Sequence, residues 1–277
     1  MLTDKTIGFI GAGNMAEALI KGLISAKVVS AGQITASDRA PERLAHIKGY
    51  GVKVCSKSFE VASASDILFP AVKPQDLEEL LEKDVAKHLT GDKLLISVVA
   101  GKTTDTIREA LGRGGLRHPV AIVRAMPNTP ALVGQGAIGL YSDDKKSTAL
   151  KVARTIFEAV GRVVEVEDET LMDAVTGLSG SGPAYVFLFM EALIEAGVKE
   201  GLPADRAKEL AVQTVLGSAM LARESEKDLR ELIDMVTSPG GTTIEGLKKL
   251  EDGKLRDAIA AAVEAATKRA RELSGTG

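Results

Sequence analysis

The stretch "TIGFIGAGNMAEAL", Thr6 to Leu19, decides the fold of this chain. A short apolar and β-branched run leads into Gly11 and Gly13, and Ala16 follows inside a segment with helical spacing. In a G-x-G-x-x-A arrangement the first glycine permits a tight turn, the second lets the backbone approach a pyrophosphate, and the small third residue lets the helix pack closely. The stretch therefore predicts a strand, turn and helix that bind a dinucleotide; the alternative is a tight turn with no ligand.

The same alternation continues through the first 165 residues. Apolar runs with strand propensity are separated by segments with helical spacing, such as "MAEALIKGLISA" and "LEELLEKDVAKHL". The strand-like runs are "KTIGFIG", "QITASD", "SDILFPAV", "KLLISVVA", "AIVRAMP" and "GRVVEV". This pattern predicts a Rossmann-type, doubly wound, mostly parallel sheet with helices on both faces.

The pattern changes near Glu169, after which no convincing strand is present. Helical spacing predicts helices over residues 183–196, 203–225, 227–236 and 254–273, the first of them ending at Gly197. We therefore expect an α/β chain of two domains, with a dinucleotide-binding domain over residues 1–165 and an all-helical domain over 166–277.

Composition excludes several classes of protein. The chain has 277 residues and a formal net charge of -3, and its basic residues are spread rather than massed, so we expect no nucleic-acid partner and no anionic membrane partner. The single cysteine, Cys55, makes no internal disulfide and is too few for a zinc site, so no metal is expected. No signal peptide is recognisable and no window reaches the length of a membrane span, which predicts a cytoplasmic protein.

The end of the second predicted strand, "ASDRAPER", bears on the choice of cofactor. An acidic residue there hydrogen-bonds the ribose of NAD, whereas an arginine pairs with the extra phosphate of NADP. Asp38 and Arg39 therefore point to opposite cofactors. Arg39 can bind phosphate and Ser37 can donate a hydrogen bond, which favours NADP over NAD, although Arg39 as a solvated surface charge remains an alternative.

Two further loops follow predicted strands at the edge where open α/β sheets bind ligands. They are "AVKPQ", Ala71 to Gln75, and "SVVAGKT", Ser97 to Thr103. Lys73 precedes a proline, which bends the chain away from helical geometry, and we assign it a structural or cofactor-binding role. The predicted cofactor-binding residues are Gly11, Ala12, Gly13, Asn14, Met15, Ser37, Asp38, Arg39, Ala71, Val72, Lys73, Pro74 and Ala100.

The segment "PAYVFLFMEALIEA" bears on assembly. Six apolar or aromatic residues follow one another from Tyr185 to Met190, so a helix here is apolar nearly all round and must be covered on every side. A helical domain of this size can cover one such helix by itself. Burial between subunits is the interpretation that we favour.

The chain resembles the Δ1-pyrroline-5-carboxylate reductase family over almost its whole length. The resemblance rests on "GFIGAGNMAEAL", "AVKPQ", "MPNTPALVGQG", "DAVTGLSGSGPAYVFLFMEALIEAGVKEGLP", "QTVLG" and "VTSPGGTTIEGL", in that order and spacing. It implies reduction of the cyclic imine pyrroline-5-carboxylate to L-proline by NADPH or NADH, as the last step of proline biosynthesis. It also implies a dimer with interlocked helical domains, often assembled further into a decamer.

The resemblance assigns a role to "VTSPGGTTIEGL", Val236 to Leu247, which holds no histidine or cysteine. The family holds the substrate carboxylate in this loop, and converging backbone N–H groups at a helix start can bind a carboxylate without a cation. Thr243 matches the position whose hydroxyl reaches the substrate nitrogen and is the predicted catalytic residue; a helix cap is the alternative. The predicted substrate-binding residues are Ser238, Gly240, Gly241, Thr242 and Thr243, with Ser181 from "LSGSGPAY".

Two other functions are alternatives to this one. A β-hydroxyacid dehydrogenase also joins a Rossmann domain to a helical domain, but that family carries a catalytic lysine in the helix after its second glycine motif. Here the corresponding helix begins at Pro183 and has no lysine before Lys199. A regulator that binds NADP without turnover has no need of the "SPGGTT" loop. The three histidines, His46, His88 and His118, lie in unrelated segments and are read as structural or surface residues.

Overall fold

The computed structural model describes Leu2 and residues 4–144 and 148–275. These residues form eight strands in one sheet, in the order β3-β2-β1-β4-β5-β6-β7-β8. The strands are β1 Ile7–Ile10, β2 Ile34–Ser37, β3 Lys53–Cys55, β4 Ile67–Pro70, β5 Leu94–Ser97, β6 Ala121–Met126, β7 Gly136–Tyr141 and β8 Gly161–Glu165. Neighbouring strands are parallel except β6 and β7, which pair antiparallel.

Helices connect and follow these strands. They are α1 Asn14–Ser25, α2 Pro41–Lys48, α3 Ser58–Ala64, α4 Leu77–Leu80, α5 Thr104–Arg113, α6 Thr148–Glu158, α7 Leu171–Val175, α8 Gly182–Lys199, α9 Ala204–Glu224, α10 Leu229–Met235, α11 Thr242–Asp252 and α12 Leu255–Ser274. The predicted fold class, a Rossmann-type sheet followed by an all-helical region, is confirmed.

Buried apolar residues cover both faces of the sheet. One cluster includes Phe9 and Phe69, whose rings stack with their centroids 4.8 Å apart, and it packs against α1 and α6. The other includes Leu68 and Leu95 and packs against α3, α4 and α5. The strands β1, β4 and β5 are buried at every residue, as expected for the centre of a parallel sheet with both faces covered.

Three local features differ from the sequence expectations. The strands β3 and β7 were not predicted, because β3 has three residues and β7 contains two glycines, Gly136 and Gly139. The helical run from Leu77 to Leu89 is irregular, with α4 followed by a π segment and a 3₁₀ turn. The helix expected to stop at Gly197 continues to Lys199, and the N–H of Leu202 then closes its end on the carbonyl of Gly197 at 3.0 Å.

Contacts divide the chain into two compact units, and the division differs from the predicted boundary. One unit comprises residues 1–181 and 265–277, and the other comprises residues 182–264. Residues 166–181 belong with the sheet because α7 packs on it. Met172 is buried, and a Cβ on Gly139 of β7 would stand 2.6 Å from the side chain of Val175. The predicted boundary between residues 165 and 166 coincides with the end of β8.

The helix α8 leaves its apolar surface uncovered within the chain. None of its 18 residues is buried, and Leu188 is 66% exposed. The alternative in which the helical domain covers this helix by itself therefore fails. Apolar side chains of α9, including Leu210 and Leu216, are exposed as well. Exposed apolar side chains in this number on one helix are typical of an interaction surface.

The helical run Leu171–Lys199 is long and apolar enough, by length and composition, to span a membrane. The expectation that no window reaches that length was therefore wrong. The π segment Thr176–Gly180 joins α7 to α8 into one run of 29 residues, which the glycines of "TGLSGSG" conceal in the sequence. The exposed apolar side chains of this run make it a candidate surface for association between subunits.

Replacing Leu188 by aspartate tests whether this surface holds subunits together. Leu188→Asp is expected to weaken self-association by about 100-fold or more, because an apolar side chain loses its burial and a charge loses water, twice in a symmetric dimer. Sedimentation equilibrium measures the association constant. The matched control is Val133→Asp, an exposed apolar residue outside the helical region. An unchanged molecular mass for Leu188→Asp would exclude α8 from the interface.

Candidate active site

A cavity of about 570 Å³ lies at the carboxyl ends of β1, β2 and β4. The sheet order changes direction between β1 and β4, and open α/β sheets bind ligands at this switch point. Eight predicted cofactor residues line the cavity together: Gly11, Gly13, Ser37, Asp38, Arg39, Ala71, Val72 and Lys73. The geometry therefore gathers residues from three separate stretches of the sequence into one cleft.

Gly11 is the residue around which the cleft is built. Its N–H donates to the carbonyl of Ser37 at 2.7 Å, and the N–H of Ala71 donates to the carbonyl of Ile10 at 2.7 Å, so the turn is fastened to both neighbouring strands. Its φ of +104° lies in the region that favours glycine, and a Cβ there would stand 2.3 Å from the carbonyl oxygen of Ala71. No other residue type fits this turn.

Gly13 differs from Gly11 because its surroundings are open. It is the N-cap of α1, its backbone is extended, and a Cβ there would meet no atom within 4 Å among the described residues. The first N–H groups of α1 have no intrahelical partner and form the positive end of the helix dipole, and no side chain caps them. Free N–H groups beside open space fit a pyrophosphate.

Asp38 has a role that the sequence did not predict. Its carboxylate accepts the N–H of Ala12 at 2.6 Å and the N–H of Ala40 at 2.8 Å. One oxygen therefore holds the glycine-rich turn, and the other holds the turn that leads into α2. The expected ribose contact of Asp38 would have to use lone pairs left over from these bonds, so loop positioning is the interaction that the structure supports.

Arg39 and Ser37 flank Asp38 and offer donors to a cofactor. The Arg39 side chain is 84% exposed, and its guanidinium lies 3.8 Å from a carboxylate oxygen of Asp76, a long and solvent-screened pairing. The hydroxyl of Ser37 is buried and has no hydrogen-bond partner within the described residues. An orphaned buried hydroxyl beside a free arginine fits a ligand that carries phosphate.

The remaining predicted cofactor residues lie outside the cavity lining. Ala12 is buried in the turn, Asn14 and Met15 begin α1, Pro74 begins a 3₁₀ turn, and Ala100 lies in the loop between β5 and α5. The cavity also contains Gln75, the last residue of the predicted loop 71–75, and six residues that the sequence did not single out: Ile10, Ser56, Ser58, Asp76, Leu80 and Asp84. Recognition of β3 would have identified Ser56 and Ser58, because they follow its carboxyl end.

The predicted substrate loop lies in the second unit. The N–H of Gly241 donates to the carbonyl of Ser238 at 2.9 Å, and Gly240 has a φ of +72°, so the loop makes a tight turn that needs glycine. The helix α11 begins at Thr242 with Gly241 as its N-cap and no side-chain cap. The first N–H groups of α11 are therefore left for an anion, and the hydroxyl of Thr243 makes no hydrogen bond to any described residue.

Ser181 lies at the end of the first unit, directly after the π segment Thr176–Gly180. Its N–H donates to the carbonyl of Thr176 at 2.9 Å, a bond over five residues that is typical of π geometry. Single π turns of this kind are frequent at functional sites.

None of the three histidines, all of which the structure describes, lines the cleft. His46 lies on α2, where its ring contacts Glu17 at 2.9 Å, and hydrogen bonds from His46 and Tyr50 lower the pKa of Glu17. His88 stacks on Phe59, and His118 lines a separate cavity. Among the described residues no group of three histidine, cysteine or acidic side chains stands close enough to hold a metal ion.

Fold and cleft together define a nicotinamide-dinucleotide oxidoreductase with a helical second region. A family model described as "NADP oxidoreductase coenzyme F420-dependent" matches residues 6–101, and one described as "Pyrroline-5-carboxylate reductase dimerisation" matches residues 169–273. The pyrroline-5-carboxylate reductase of Pisum sativum is 43% identical over 277 residues, which cover 99% of this chain and 98% of that protein. The chain belongs to the pyrroline-5-carboxylate reductase family.

Solved structures agree with this assignment. The pyrroline carboxylate reductase of Plasmodium falciparum with NADP bound superposes with a TM-score of 0.86 at 34% identity, over 98% of both chains. A pyrroline-5-carboxylate reductase from Coxiella burnetii gives a TM-score of 0.84 at 40% identity, again over 98% of both chains. The sequence-based assignment to the family is therefore confirmed.

Replacing Gly13 by valine tests the phosphate site. Gly13→Val is expected to raise the NADPH dissociation constant by about 100-fold or more, because the branched side chain fills the space that the pyrophosphate needs. The fold should survive, since no described atom lies within 4 Å of the new Cβ. Fluorescence titration with NADPH measures the effect, and circular dichroism checks the fold.

The matched control for that substitution is Gly32→Val, which also places a side chain in open space, in the 3₁₀ turn before β2. It should bind NADPH like the wild type. Wild-type affinity in a folded Gly13→Val protein would show that the turn does not hold the cofactor.

Replacing Arg39 by alanine tests the cofactor preference. If Arg39 pairs with the 2′-phosphate, Arg39→Ala should weaken NADPH binding by about tenfold and NADH binding much less, the modest size following from the exposure of the side chain. Lys48→Ala, at the exposed far end of α2, removes one positive charge as a control. Equal losses for NADPH and NADH in Arg39→Ala would contradict the assignment.

Proposed function

We propose that the protein reduces 1-pyrroline-5-carboxylate to L-proline with NADPH, the final step of proline biosynthesis. One observation carries the proposal: in this chain two helices begin at a glycine N-cap with no side-chain cap. Gly13 opens α1 beside the cleft, and Gly241 opens α11 in the second unit. The first suits a pyrophosphate, and the second suits a carboxylate.

NADPH, when bound, supplies the hydride. The first turn of α1 binds the pyrophosphate, Arg39 and Ser37 bind the phosphorylated ribose, and Asp38 keeps the glycine-rich turn in shape through the N–H of Ala12. NADH remains a second cofactor that the cleft can accept, because the pyrophosphate contacts are the same for both. Ala71, Val72 and Lys73 complete the wall of the cleft from the end of β4.

The second unit binds the substrate in this proposal. The N–H groups at the start of α11 hold the carboxylate, with Ser238, Gly240, Gly241 and Thr242 forming the turn. The hydroxyl of Thr243 orients the ring nitrogen, and Ser181, in the first unit, remains a predicted substrate-binding residue. A protonated imine carbon is already electrophilic, so orientation and electrostatics suffice and no general acid is required of the protein.

The protein acts as a self-associating enzyme in the cytoplasm under this proposal. The dimerisation match over residues 169–273 supports self-association, and the exposed apolar side chains of α8 provide the surface. A homodimer is the basic assembly that we propose, and dimers can assemble further into a homodecamer. No nucleic acid and no membrane takes part.

The direct test is an absorbance assay at the nicotinamide band with pyrroline-5-carboxylate and NADPH. Loss of NADPH absorbance that depends on both the protein and the imine, with L-proline as the product, is the expected result. NADPH binding without turnover would instead indicate a regulator. Turnover of a β-hydroxyacid in place of the imine would indicate a dehydrogenase of that kind.

Replacing Thr243 by alanine tests the catalytic assignment. Thr243→Ala should lower kcat/KM by about ten- to a thousandfold, roughly 1.4 to 4 kcal/mol of transition-state stabilisation, and leave the NADPH dissociation constant unchanged. Thr243→Ser keeps the hydroxyl and should keep most of the activity. Steady-state kinetics of both variants decide the matter, and unchanged kinetics in Thr243→Ala would remove this residue from the site.

A further inference from the structure

Asn128, in the "MPNTP" stretch after β6, makes two hydrogen bonds that local structure does not explain. It occupies the N-cap position of the 3₁₀ turn Thr129–Val133, where an asparagine side chain ordinarily caps the turn, but it makes no cap bond. Instead its Nδ2 donates to the carbonyl of Ser179 at 3.0 Å, and its Oδ1 accepts the N–H of Ala137 at 2.9 Å. The residue is only 8% exposed.

The bond to Ala137 extends the β6–β7 ladder. The antiparallel register pairs Met126 with Gly139, so two residues further along β6 the partner is residue 137. Asn128 therefore meets Ala137 where a backbone pair would stand, and its side-chain oxygen takes the place of a backbone acceptor. This bond fixes the direction of the Asn128 amide at the end of the sheet.

The bond to Ser179 replaces a donor that the chain lacks. In a continuous α-helix the carbonyl of Ser179 would accept the N–H of residue 183, four positions later, but residue 183 is proline and has no N–H. The Nδ2 group of Asn128 supplies a donor instead, from 51 residues away. The turn that ends at Ser181 thus takes part of its hydrogen bonding from the sheet.

The same turn is fixed to the sheet at other points. A Cβ on Gly180 would stand 2.6 Å from the Met126 side chain, so the turn lies directly on the end of β6. At the start of the segment, Glu169 accepts from the buried Arg124 at 2.8 Å and from the N–H of Thr104 at 2.7 Å. Hydrogen bonds therefore hold the segment 169–181 to the sheet at both ends, and Asn128 makes the one next to Ser181.

We infer that Asn128 is a positioning residue for the substrate: its amide holds the Thr176–Ser181 turn, and with it Ser181, in the geometry that the imine requires. The inference rests on the proposed function, because it gives the turn its role through Ser181. Asn128 does not line the dinucleotide cavity, and we expect its substitution to affect the substrate more than NADPH binding.

Asn128→Asp tests this inference, because the change keeps the shape of the side chain and replaces the amide NH2 group, the donor to Ser179, by an oxygen. An ionised carboxylate still accepts from Ala137 but places an oxygen without a proton against the Ser179 carbonyl. We expect kcat/KM for pyrroline-5-carboxylate to fall about 10- to 100-fold at pH 8, with the NADPH dissociation constant within about threefold of wild type.

The pH dependence separates positioning from simple damage. A protonated carboxyl group can donate to Ser179 and accept from Ala137, as the amide does, so lowering the pH restores both bonds. The wild-type to variant ratio of kcat/KM should therefore shrink as the pH falls through the pKa of the introduced carboxyl, which burial raises. Effects of pH on the substrate cancel in this ratio. A ratio that stays flat or widens would overturn the inference.

Two further variants complete the experiment. Asn128→Ala removes both bonds without a charge and should lose kcat/KM at every pH. The matched control is Ser142→Ala, which removes a buried hydrogen bond to the carbonyl of Ile122, 3.2 Å long, at the other end of the same strand pair. It should leave kcat/KM within about twofold of wild type and independent of pH. Equal losses in both variants would overturn the inference.

A measurement without turnover distinguishes this inference from the proposed function. Hydrogen exchange followed by mass spectrometry should show faster exchange over residues 172–184 in Asn128→Ala than in Ser142→Ala. Unchanged exchange there would overturn the role of Asn128. A wild-type protein in which this segment is protected from hydrogen exchange but which does not turn over pyrroline-5-carboxylate would refute the proposed function. The role of Asn128 in holding the turn would still stand.

Discussion

The close approach of Gly11 to the carbonyl of Ala71 is the constraint on which the cleft depends. Strands β1 and β4 run side by side, and the chain must turn sharply out of β1 at the point where β4 ends. Any Cβ on Gly11 would stand 2.3 Å from the Ala71 oxygen, so only glycine lets the two loops meet. With the turn fixed, α1 begins at Gly13 with its free N–H groups facing open space, and Asp38 fastens the turn to the end of β2.

The two proposed ligand sites follow one physical principle. Both α1 and α11 begin at a glycine N-cap with no side-chain cap, although a serine or aspartate there would stabilise the helix by a few tenths of a kcal/mol more. The glycine leaves the N–H groups to a ligand. This accounts for a candidate active site with no histidine and no catalytic lysine: anions are held by backbone dipoles, and reactivity resides in the imine and the cofactor.

Periodicity predicted the six strands β1, β2, β4, β5, β6 and β8, together with the helices α8, α9, α10 and α12, because those signals are local. The strands β3 and β7 were not predicted, because β3 is short and β7 is rich in glycine. Gly139 is glycine because Val175 packs against it from α7, and this tertiary contact is not visible in the local sequence.

The sequence suggests that Asp38 is a charge near a ribose, yet its partner is the N–H of Ala12, 26 residues away. The role of Asn128 could not be predicted from the sequence either, because it depends on tertiary structure. It requires the β6–β7 register and the missing N–H of Pro183. The substrate loop came from the family resemblance, since small residues and hydroxyls carry no distinctive chemistry alone.

The central claim is that a hydride passes from the nicotinamide to the imine carbon of pyrroline-5-carboxylate. The most direct measurement uses NADPH labelled with deuterium at the transferable position and analyses the proline formed by mass spectrometry. Proline one mass unit heavier, with deuterium on the δ carbon, is the expected result. Unlabelled proline, or deuterium in a product other than proline, would contradict the claim.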